Sequence, residues 1–480
     1  MSTKSNYNEE VLLQAQTRRA TVEFINIVND LWYDKSIELV LFRNPLVDKR
    51  ASEVLNLIEY AKEFVSKPIS IIDALDIARA IQQIDLPSSK LDIGKLAYEC
   101  YLSSENCEDK VAFVKKKLKG ATVVKDIQPK DVVLYGFGRI GRLLARELMI
   151  KMGKGSQLRL RAIVTRGEIN QTVLEKRASL LSIDSVHGDF LGTVIVDSEN
   201  NALIINGTTV HMISANNPEE IDYTKYGIND ALIIDNTGAF RDKEELSRHL
   251  KAKGSSKVLI TAPAKGVPNI VHGVNHKQND SDNVDVFSAA SCTTNAITPI
   301  LKVLEDNYGI KKGHLETIHA YTNDQNLVDN MHSKYRRGRA AALNMVITET
   351  GAGAAVAKAI PALKGKLTSN AIRVPVPNGS LAILNLQLRT KVTKEQVNSL
   401  IKKYALEGDL VEQIKYSLDN ELVSSDIVGV TAPSIFDSKA TITDNETIVI
   451  YVWYDNEYGY SHQVIRLAKH IAKVRRFTYY

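Results

Sequence analysis

A glycine-rich turn constrains the fold of this chain more than any other feature of its sequence. The turn reads Gly136-Phe-Gly-Arg-Ile-Gly141, follows the apolar stretch Asp131-Val-Val-Leu-Tyr135, and opens a helical pattern at Arg139. In a G-x-G-x-x-G between a strand and a helix, the first glycine permits the tight turn, the second lets the backbone approach a pyrophosphate, and the third allows close helix packing. The helix N-terminus favours that anion. The spacing therefore favours a dinucleotide site over an ordinary glycine-rich turn.

Strands and helices alternate after this turn. Three further stretches have strand character: Leu158-Arg-Leu-Arg-Ala-Ile-Val-Thr165, Ala231-Leu-Ile-Ile-Asp235 and Lys257-Val-Leu-Ile-Thr261. Such alternation is typical of a parallel, doubly wound sheet. We therefore predict an α/β protein with a Rossmann-type dinucleotide-binding domain and an α+β catalytic domain.

The N-terminal quarter has a different composition. Residues 1–93 contain no glycine, and all 26 glycines lie from Gly94 onward. Apolar residues recur there at helical spacing, as in Val54, Leu57, Ile58, Ala61, Phe64 and Val65. We predict an all-helical extension over 1–125. A dinucleotide-binding domain is predicted over 126–291, completed by 456–480, and a catalytic domain over 292–455.

Composition excludes several classes of protein. The sequence contains no run of about 18 apolar residues, which argues against a membrane span, and the first ten residues lack the apolar stretch of a secretory signal. Three cysteines do not make a disulfide framework, so Cys100 and Cys107 are interpreted as ordinary small apolar residues and a cytoplasmic location is expected. A formal charge of +5 does not indicate nucleic-acid binding. No metal site is predicted.

The end of the second predicted strand bears on cofactor choice. NAD-binding domains usually carry an acid there, which binds the ribose 2′-hydroxyl. This chain has Thr165 instead, followed by Arg166. Without a carboxylate, nothing repels a 2′-phosphate, and an arginine could bind one. NADP, NAD or both are therefore expected, although Arg166 could equally be a surface residue.

A cysteine and a histidine lie in settings that suggest covalent chemistry. Cys292 follows the strand-like Val284-Asp-Val-Phe-Ser288 and precedes a helix predicted to begin near Ile297. A helix N-terminus lowers a thiol pKa below its free value of about 8.5. His319 lies downstream in Thr317-Ile-His-Ala-Tyr-Thr-Asn-Asp324 and could act as a base if it were adjacent. By spacing alone, structural roles for both residues stay open.

Several segments from about residue 130 to the C-terminus resemble phosphorylating glyceraldehyde-3-phosphate dehydrogenases, in the family's order and spacing. They are Gly136-Phe-Gly-Arg-Ile-Gly-Arg142, Asp184-Ser-Val-His-Gly188, Ala290-Ser-Cys-Thr-Thr-Asn295, His319-Ala-Tyr-Thr322, Thr350-Gly-Ala352, Arg373-Val-Pro-Val-Pro-Asn378 and Trp453-Tyr-Asp-Asn-Glu-Tyr-Gly-Tyr-Ser461. The first 125 residues lie outside the resemblance and look like the N-terminal extension of a long bacterial variety of the enzyme.

The resemblance implies a reaction. Glyceraldehyde 3-phosphate would be oxidised reversibly with NAD(P) and inorganic phosphate to 1,3-bisphosphoglycerate, as in glycolysis and gluconeogenesis, through a thioester on Cys292 with His319 as base. A homotetramer is also implied. Two alternatives stay open: an erythrose-4-phosphate dehydrogenase of the same family, and a nucleotide-binding scaffold or regulatory protein. The intact Cys292, His319, Thr322 and Arg373 argue against the scaffold.

The resemblance also implies binding residues. Thr322 and Arg373 would hold the substrate's phosphate, and Thr293 is placed among the residues that bind substrate or phosphate. The inorganic phosphate would be bound by Ser291, Thr350, Gly351 and Arg336, although Arg336 could be a surface arginine. The implied cofactor contacts are Gly136, Gly138, Arg139, Ile140, Gly141, Thr165, Arg166, Thr237, Gly238, Thr261, Asn456 and Tyr460.

Three further positions complete these expectations. Asp184 and His187 are interpreted as structural residues. Met331 stands where NAD-specific members of the family usually have proline. Like Thr165, this departure points away from strict NAD specificity.

Overall fold

The computed structural model describes residues 7–101, 107–121, 127–150, 157–279 and 281–480. Contacts divide the chain into two compact units. The first unit holds the described residues up to Pro129, together with Gln157 and Val474–Tyr480, and the second holds the remaining described residues from Lys130 to Lys473. Among the described helices, none combines the length and apolar character that a membrane span requires.

The first unit contains both helices and strands. With elements numbered along the chain, its helices are α1 (Tyr7–Lys35), α2 (Ala51–Glu63), α3 (Ile71–Gln82), α4 (Ile93–Tyr101) and α5 (Lys110–Lys117). Its strands are β1 (Ile37–Leu41), β2 (Asn44–Pro45), β3 (Ser89–Asp92) and β22 (Phe477–Tyr479). They form a four-stranded sheet in the order β2-β1-β3-β22, in which β3 is parallel to both β1 and β22.

This sheet corrects two expectations. The first unit is not all-helical, because β1 is buried throughout and its residues 37–40 pair with β3, about fifty residues further along the chain. The predicted dinucleotide-binding domain does not extend to the C-terminus either. Val474–Tyr480 belong to the first unit, where β22 provides the fourth strand of its sheet.

The two cysteines of the first unit are also paired, contrary to expectation. Cys100, in the last turn of α4, forms a disulfide with Cys107, which lies just before α5, and their Cα atoms are 5.2 Å apart. Both cysteines lie away from any motif, so no sequence pattern indicated the pairing. Cys100 is buried, as expected of a small apolar residue.

The second unit begins with the predicted doubly wound sheet. Its eight strands run in the order β13-β12-β11-β4-β5-β10-β9-β8, and the first six are mutually parallel. The elements of this part are β4 (Lys130–Tyr135), α6 (Arg139–Ile150), β5 (Leu158–Thr165), α7 (Gln171–Ser182), β6 (Ile183–Asp184), β7 (Gly188–Asp189), β8 (Val194–Asp197), β9 (Ala202–Ile205), β10 (Thr208–Ser214), β11 (Ala231–Asp235), α8 (Lys243–Ser247), β12 (Ser255–Ile260) and β13 (Val286–Ser288).

A second, mixed sheet follows in the same unit. Its strand order is β15-β16-β14-β17-β21-β19-β18, with β20 paired to β21. Its elements are α9 (Cys292–Tyr308), β14 (Ile310–Ala320), β15 (Val346–Thr348), α10 (Ala352–Ala359), β16 (Leu367–Val374), β17 (Ser380–Leu388), α11 (Lys394–Leu406), β18 (Ile414–Ser417), β19 (Ser434–Asp437), β20 (Ile442–Asp444) and β21 (Thr447–Tyr454). The last helix, α12 (Tyr458–Ile471), packs against α6 and α9.

Candidate active site

Cys292 is the first residue of α9, so this helix begins at the cysteine and not near Ile297. Ser291 caps it, accepting a hydrogen bond from the Thr294 N–H at 3.1 Å. The preceding residue, Ala290, has a φ of +55°, which is unfavourable for a residue with a side chain. The Tyr460 hydroxyl donates to its carbonyl at 2.8 Å and helps to hold this turn. The cap and the turn together fix the position of the Cys292 thiol.

His319 reaches the same point from the end of β14. Its Nε2 lies 3.5 Å from the Cys292 sulfur, and its side chain is buried. Tyr454 packs its ring edge-on against the imidazole, with centroids 5.9 Å apart. Its hydroxyl is 3.0 Å from the Thr293 hydroxyl. The Thr293 hydroxyl therefore has a buried hydrogen-bond partner in Tyr454.

Burial governs the ionisation of the cysteine and the histidine. It raises the pKa of the Cys292 thiol, although the Arg373 guanidinium and the Thr293 hydroxyl and N–H oppose it. Burial, reinforced by the Arg373 cation, also holds the pKa of His319 well below its ordinary value. Burial therefore disfavours the charged form of both groups in this structure. The expected lowering of the thiol pKa is wrong here, because desolvation outweighs the helix N-terminus.

Arg373 comes to the histidine through strand pairing. His319 on β14 and Arg373 on the parallel strand β16 are register partners, so their side chains share a face of the sheet. Arg373 Nη1 lies 2.6 Å from His319 Nδ1 and donates to the Ala320 carbonyl at 2.8 Å. The predicted phosphate-binding arginine thus lies beside the predicted base.

The second arginine of the site is Arg337 and not the predicted Arg336. Arg337 donates to the Thr348 hydroxyl and forms an ion pair with Asp324, whose carboxylate also accepts from Thr322. Arg336 is exposed, although both arginines lie in one short 3-10 helix, Tyr335–Gly338. Neighbours in such a turn point in different directions, and the sequence did not fix which of the two faces inward.

The remaining predicted phosphate residues lie at the start of α10. The Thr350 hydroxyl accepts from the Ala352 N–H at 3.3 Å, and Gly351 occupies the N-cap position. A helix N-terminus presents free N–H groups that favour an anion. Thr350 and Gly351 therefore have the setting expected of an anion-binding turn.

The glycine-rich turn has the geometry that a pyrophosphate requires. Gly136 has a φ of +100°, and a Cβ on Gly141 would lie 2.5 Å from the Gly136 carbonyl oxygen. A Cβ on Gly138 would meet no atom within 4 Å. The first and third glycines are thus required by the fold, and the second leaves open space beside the backbone for a ligand.

A cavity of about 210 Å³ lies at the carboxyl ends of the parallel strands, where such folds bind ligands. Thr165 and Arg166 line it from the end of β5, and Thr237 lines it after β11. Two more implied residues lie close to these strand ends: Gly238 follows Thr237 with a φ of +67°, and Thr261, directly after β12, donates from Oγ1 to the Asp235 carbonyl at 3.1 Å. Because the open backbone at Gly138 and this cavity, with Thr165, Arg166 and Thr237 in its wall, occur at one edge of the sheet, the residues fit a dinucleotide.

Arg139, an implied pyrophosphate contact, has its side chain engaged within the protein. Its guanidinium pairs with Asp184 at 3.2 Å and with Glu457 at 2.5 and 2.6 Å, so its side chain is committed. His187 Nε2 also contacts Glu457, at 3.0 Å. Only backbone N–H groups of Arg139 and Ile140 are thus left for a pyrophosphate. Asp184 and His187 have the structural role predicted, whereas sequence reasoning missed Glu457.

Asp184 carries a negative charge in this network. Burial of the carboxyl opposes its ionisation, but the Val186 and His187 N–H groups and the Arg139 guanidinium prevail and lower its pKa to about 2. Asp184 is therefore ionised throughout the physiological range.

Asn456 and Tyr460, the predicted nicotinamide contacts, are both buried near the catalytic pair. Asn456 Oδ1 accepts from the Ser380 hydroxyl at 2.8 Å, and that hydroxyl accepts from the Ala320 N–H at 3.1 Å. Ser380 thus connects Asn456 to the residue that follows His319. The contact with Ser380 orients the Asn456 amide, and its nitrogen can donate to a ligand.

Comparisons with known proteins cover both parts of the second unit. Residues 130–243 match the family described as glyceraldehyde 3-phosphate dehydrogenase, NAD binding domain, and residues 291–456 match its C-terminal domain. Glyceraldehyde-3-phosphate dehydrogenase 1 of Bacillus subtilis is 41% identical over 344 residues, 71% of this chain and 98% of that protein. A similar enzyme of Streptomyces coelicolor is 41% identical over 338 residues, covering 70% of this chain and 96% of its own.

A longer relative matches the first unit as well. A glyceraldehyde-3-phosphate dehydrogenase-like protein of Pseudomonas aeruginosa is 46% identical over 456 residues, which is 94% of this chain and 98% of that protein. The match takes in most of the N-terminal unit, whereas the shorter relatives lack it. This confirms the resemblance to a long bacterial variety.

Proposed function

Because this chain belongs to the glyceraldehyde-3-phosphate dehydrogenase family of NAD(P)-binding oxidoreductases, we propose that it oxidises glyceraldehyde 3-phosphate with inorganic phosphate to 1,3-bisphosphoglycerate. The observation that carries the proposal is the 3.5 Å approach of Cys292 Sγ to His319 Nε2 beside Arg373 and Arg337. Cys292 and His319 provide the nucleophile and the base that oxidation of an aldehyde through a thioester needs. The two arginines can bind the substrate's own phosphate and the phosphate that attacks the thioester.

The proposed reaction uses Cys292 as the attacking group. Its sulfur, having given its proton to His319, adds to the aldehyde carbon, and His319 returns that proton to the aldehyde oxygen, which gives a thiohemiacetal and a neutral imidazole. His319 then takes the proton of the thiohemiacetal hydroxyl as its carbon is oxidised. A bound nicotinamide cofactor supplies the hydride acceptor. A phosphate oxygen attacks the resulting thioester, the carbon–sulfur bond breaks, and the Cys292 thiolate is restored.

The polar groups around this pair divide between two anions. Arg373 and Thr322 are suited to the phosphate of the substrate. Arg337 and the N-terminus of α10 at Thr350 and Gly351 are suited to the attacking phosphate, with Ser291 at the start of α9. Arg337 takes the role that Arg336 was predicted to have.

The cofactor side supports use of NADP as well as NAD. Thr165 lines the nucleotide cavity where an acid would otherwise stand, so no fixed negative charge opposes a 2′-phosphate. Arg166 lines the same cavity and is exposed enough to reach such a group. We propose that residues 130–291, together with α12, bind the cofactor, and that residues 292–455 carry the catalytic side chains.

A homotetramer is the assembly we propose. The loop between β14 and β15 exposes a set of large apolar side chains, among them Leu327, Val328, Met331 (92% exposed), Tyr335 (97% exposed), Leu343 and Met345. An exposed apolar patch of this kind is typical of a protein–protein interface. Light scattering at micromolar concentration tests this assignment, and a monomer would contradict it.

The function is tested by initial rates of cofactor reduction. We expect turnover of glyceraldehyde 3-phosphate to require inorganic phosphate, to exceed that of erythrose 4-phosphate, and to be lost in Cys292→Ser. His319→Asn should retain slow turnover, lower by about 10²- to 10⁴-fold. Faster oxidation of erythrose 4-phosphate would favour the alternative enzyme, and no turnover of either aldehyde by the folded tetramer would favour the scaffold.

A further inference from the structure

Ser380 is a fully buried serine at the start of β17, and its hydroxyl has three partners from different parts of the site. It accepts a hydrogen bond from the Ala320 N–H at 3.1 Å and donates one to Asn456 Oδ1 at 2.8 Å. The Tyr454 hydroxyl is the third partner. A serine hydroxyl offers one donor and two acceptors, so these three groups use its whole hydrogen-bonding capacity.

The strand register explains why these groups meet at Ser380. On β21, Tyr454 is the register partner of Ser380, and Asn456 lies two residues further along the chain. On the other side of β17, Ile318 of β14 pairs with Leu381, which brings the end of β14 beside Ser380. The sheet therefore brings the ends of two strands to one hydroxyl.

Two of the three partners lead to the catalytic pair. Ala320 follows His319 in the chain, and its carbonyl oxygen lies 2.7 Å from His319 Nδ1. Tyr454 packs edge-on against the same imidazole, and its hydroxyl is 3.0 Å from that of Thr293, the residue after Cys292. The Ser380 hydroxyl is thus connected to the chain neighbour of each catalytic residue.

The remaining partner is Asn456, which the resemblance implies as the residue that holds the nicotinamide amide. The next residue, Glu457, pairs with Arg139 at 2.5 and 2.6 Å, and this ion pair holds the chain there. In the described part of the chain, the side-chain amide of Asn456 is hydrogen-bonded to Ser380 alone. The orientation of that amide therefore depends on one hydroxyl.

We propose that Ser380 is a positioning residue for the cofactor, and that its hydroxyl fixes the Asn456 amide relative to Cys292 and His319. The bonds of a buried polar network restrain one another. A cofactor held by Asn456 is then placed at a set distance from the sulfur that carries the substrate, as hydride transfer requires. The inference rests on the proposed function and adds a residue that lies outside every segment carrying the resemblance.

Loss of this hydroxyl should weaken binding at one end of the dinucleotide only. Ser380→Ala leaves the Asn456 amide without its partner and should raise the Kd for NAD by about 3- to 10-fold, the effect of one neutral hydrogen bond. The Kd for ADP-ribose, which is NAD without its nicotinamide, should change by less than about twofold.

Ser438 provides the matched control. It is also buried, and its hydroxyl donates to the Ser417 carbonyl at 2.6 Å, beyond the other edge of β21. Ser438→Ala should therefore leave both dissociation constants within about twofold of those of the wild type.

Isothermal titration calorimetry of the full chain with NAD and with ADP-ribose measures these constants without any aldehyde. Ser380→Ala is also combined with Asn456→Ala, because a residue that acts through Asn456 adds nothing once that side chain is truncated. The double variant should bind NAD as Asn456→Ala does. An unchanged Kd for NAD in Ser380→Ala, equal weakening of NAD and ADP-ribose, or additive losses in the double variant would overturn the inference.

A second pair of variants isolates the hydroxyl if Ser380→Ala folds poorly. Ser380→Thr and Ser380→Val have nearly the same shape, and only the first keeps the hydroxyl. Ser380→Thr should bind NAD at least about threefold more tightly than Ser380→Val. Equal affinities would overturn the inference.

The binding test is independent of turnover. If NAD binding responds as expected but glyceraldehyde 3-phosphate is not oxidised, the proposed function is wrong and the role of Ser380 stands. If the aldehyde is oxidised and NAD binding does not respond, only the role of Ser380 is wrong.

Discussion

Arg337 donates from both Nε and Nη2 to the hydroxyl of Thr348, at 3.0 and 2.9 Å. The same guanidinium pairs with Asp324, which binds Thr322 in turn. Arg337 thus links Asp324, in the loop after β14, to Thr348 in β15. These contacts hold its guanidinium near the catalytic pair. Its neighbour Arg336 is exposed and takes no part in these contacts.

The first prediction compares these neighbouring arginines. Arg337→Met should lower kcat/KM by about 10- to 100-fold, because a charge-assisted hydrogen bond contributes roughly 1.5–3 kcal/mol. The loss should appear mainly as a higher KM for inorganic phosphate. Arg336→Met is the matched control and should change kcat/KM by less than about twofold. Equal losses in the two variants would contradict the assignment of Arg337.

The second prediction concerns cofactor choice. Arg166→Ala should lower kcat/KM for NADP by about 10- to 100-fold, the worth of one charge-assisted bond, and change that for NAD little. Thr165→Asp should likewise weaken NADP more than NAD, since a carboxylate would face the 2′-phosphate. The exposed Lys176→Ala on α7 is the control. If the wild-type kcat/KM for NADP were a thousandfold below that for NAD, the proposal that the enzyme uses NADP would be wrong.

The third prediction is a pH dependence of stability. The folded-state pKa of Asp184, about 2, lies below its ordinary value of 3.8, so the ionised form favours the folded state. This contribution is fully present above the ordinary pKa and is lost as the pH falls through the folded value. Asp184→Asn should therefore lower the free energy of unfolding by about 1–3 kcal/mol at pH 7.

Urea unfolding of the variant and the wild type from pH 7 down to pH 3 checks this prediction. The difference between them should shrink as the pH falls below 4, whereas the exposed Asp444→Asn should show little difference at any pH. A difference that stayed constant with pH would mean that the charge of Asp184 is not what stabilises the fold.

The fourth prediction concerns the N-terminal unit. A chain of residues 127–473 should fold and retain dehydrogenase activity, because it contains both sheets of the second unit and every residue assigned to catalysis. A chain of residues 127–480 should be less soluble, since Phe477–Tyr479 would lack β3, with which they pair. Circular dichroism and initial rates measure both. An unfolded 127–473 chain, with the full chain folded, would contradict the prediction.

Sequence reasoning was most successful where one short segment decides the structure. The glycine-rich turn at Gly136 is local, so its residue types and spacing were sufficient. It failed where distant segments meet. The sheet of the first unit depends on β22 from the other end of the chain, and nothing in β1 or β3 alone reveals that partner.

Contacts within the site have a similar origin. Arg139 pairs with Asp184 and Glu457, and the Thr293 hydroxyl contacts that of Tyr454, and only the folded chain creates these contacts. Arg336 was predicted where Arg337 makes the contacts. The two are neighbours in a loop, and no sequence periodicity there indicates which side chain points inward. The strand pairing of His319 with Arg373 likewise requires the sheet order.

The most direct test of the account is mass spectrometry of the Cys292 peptide after rapid quenching. Glyceraldehyde 3-phosphate and cofactor, mixed with the enzyme in the absence of inorganic phosphate, should leave a 3-phosphoglyceroyl group on Cys292 in a thioester linkage. Adding phosphate should remove that group and release an equal amount of acyl phosphate. Cofactor reduction without any adduct on Cys292, or an adduct that persists in phosphate, would contradict the thioester mechanism.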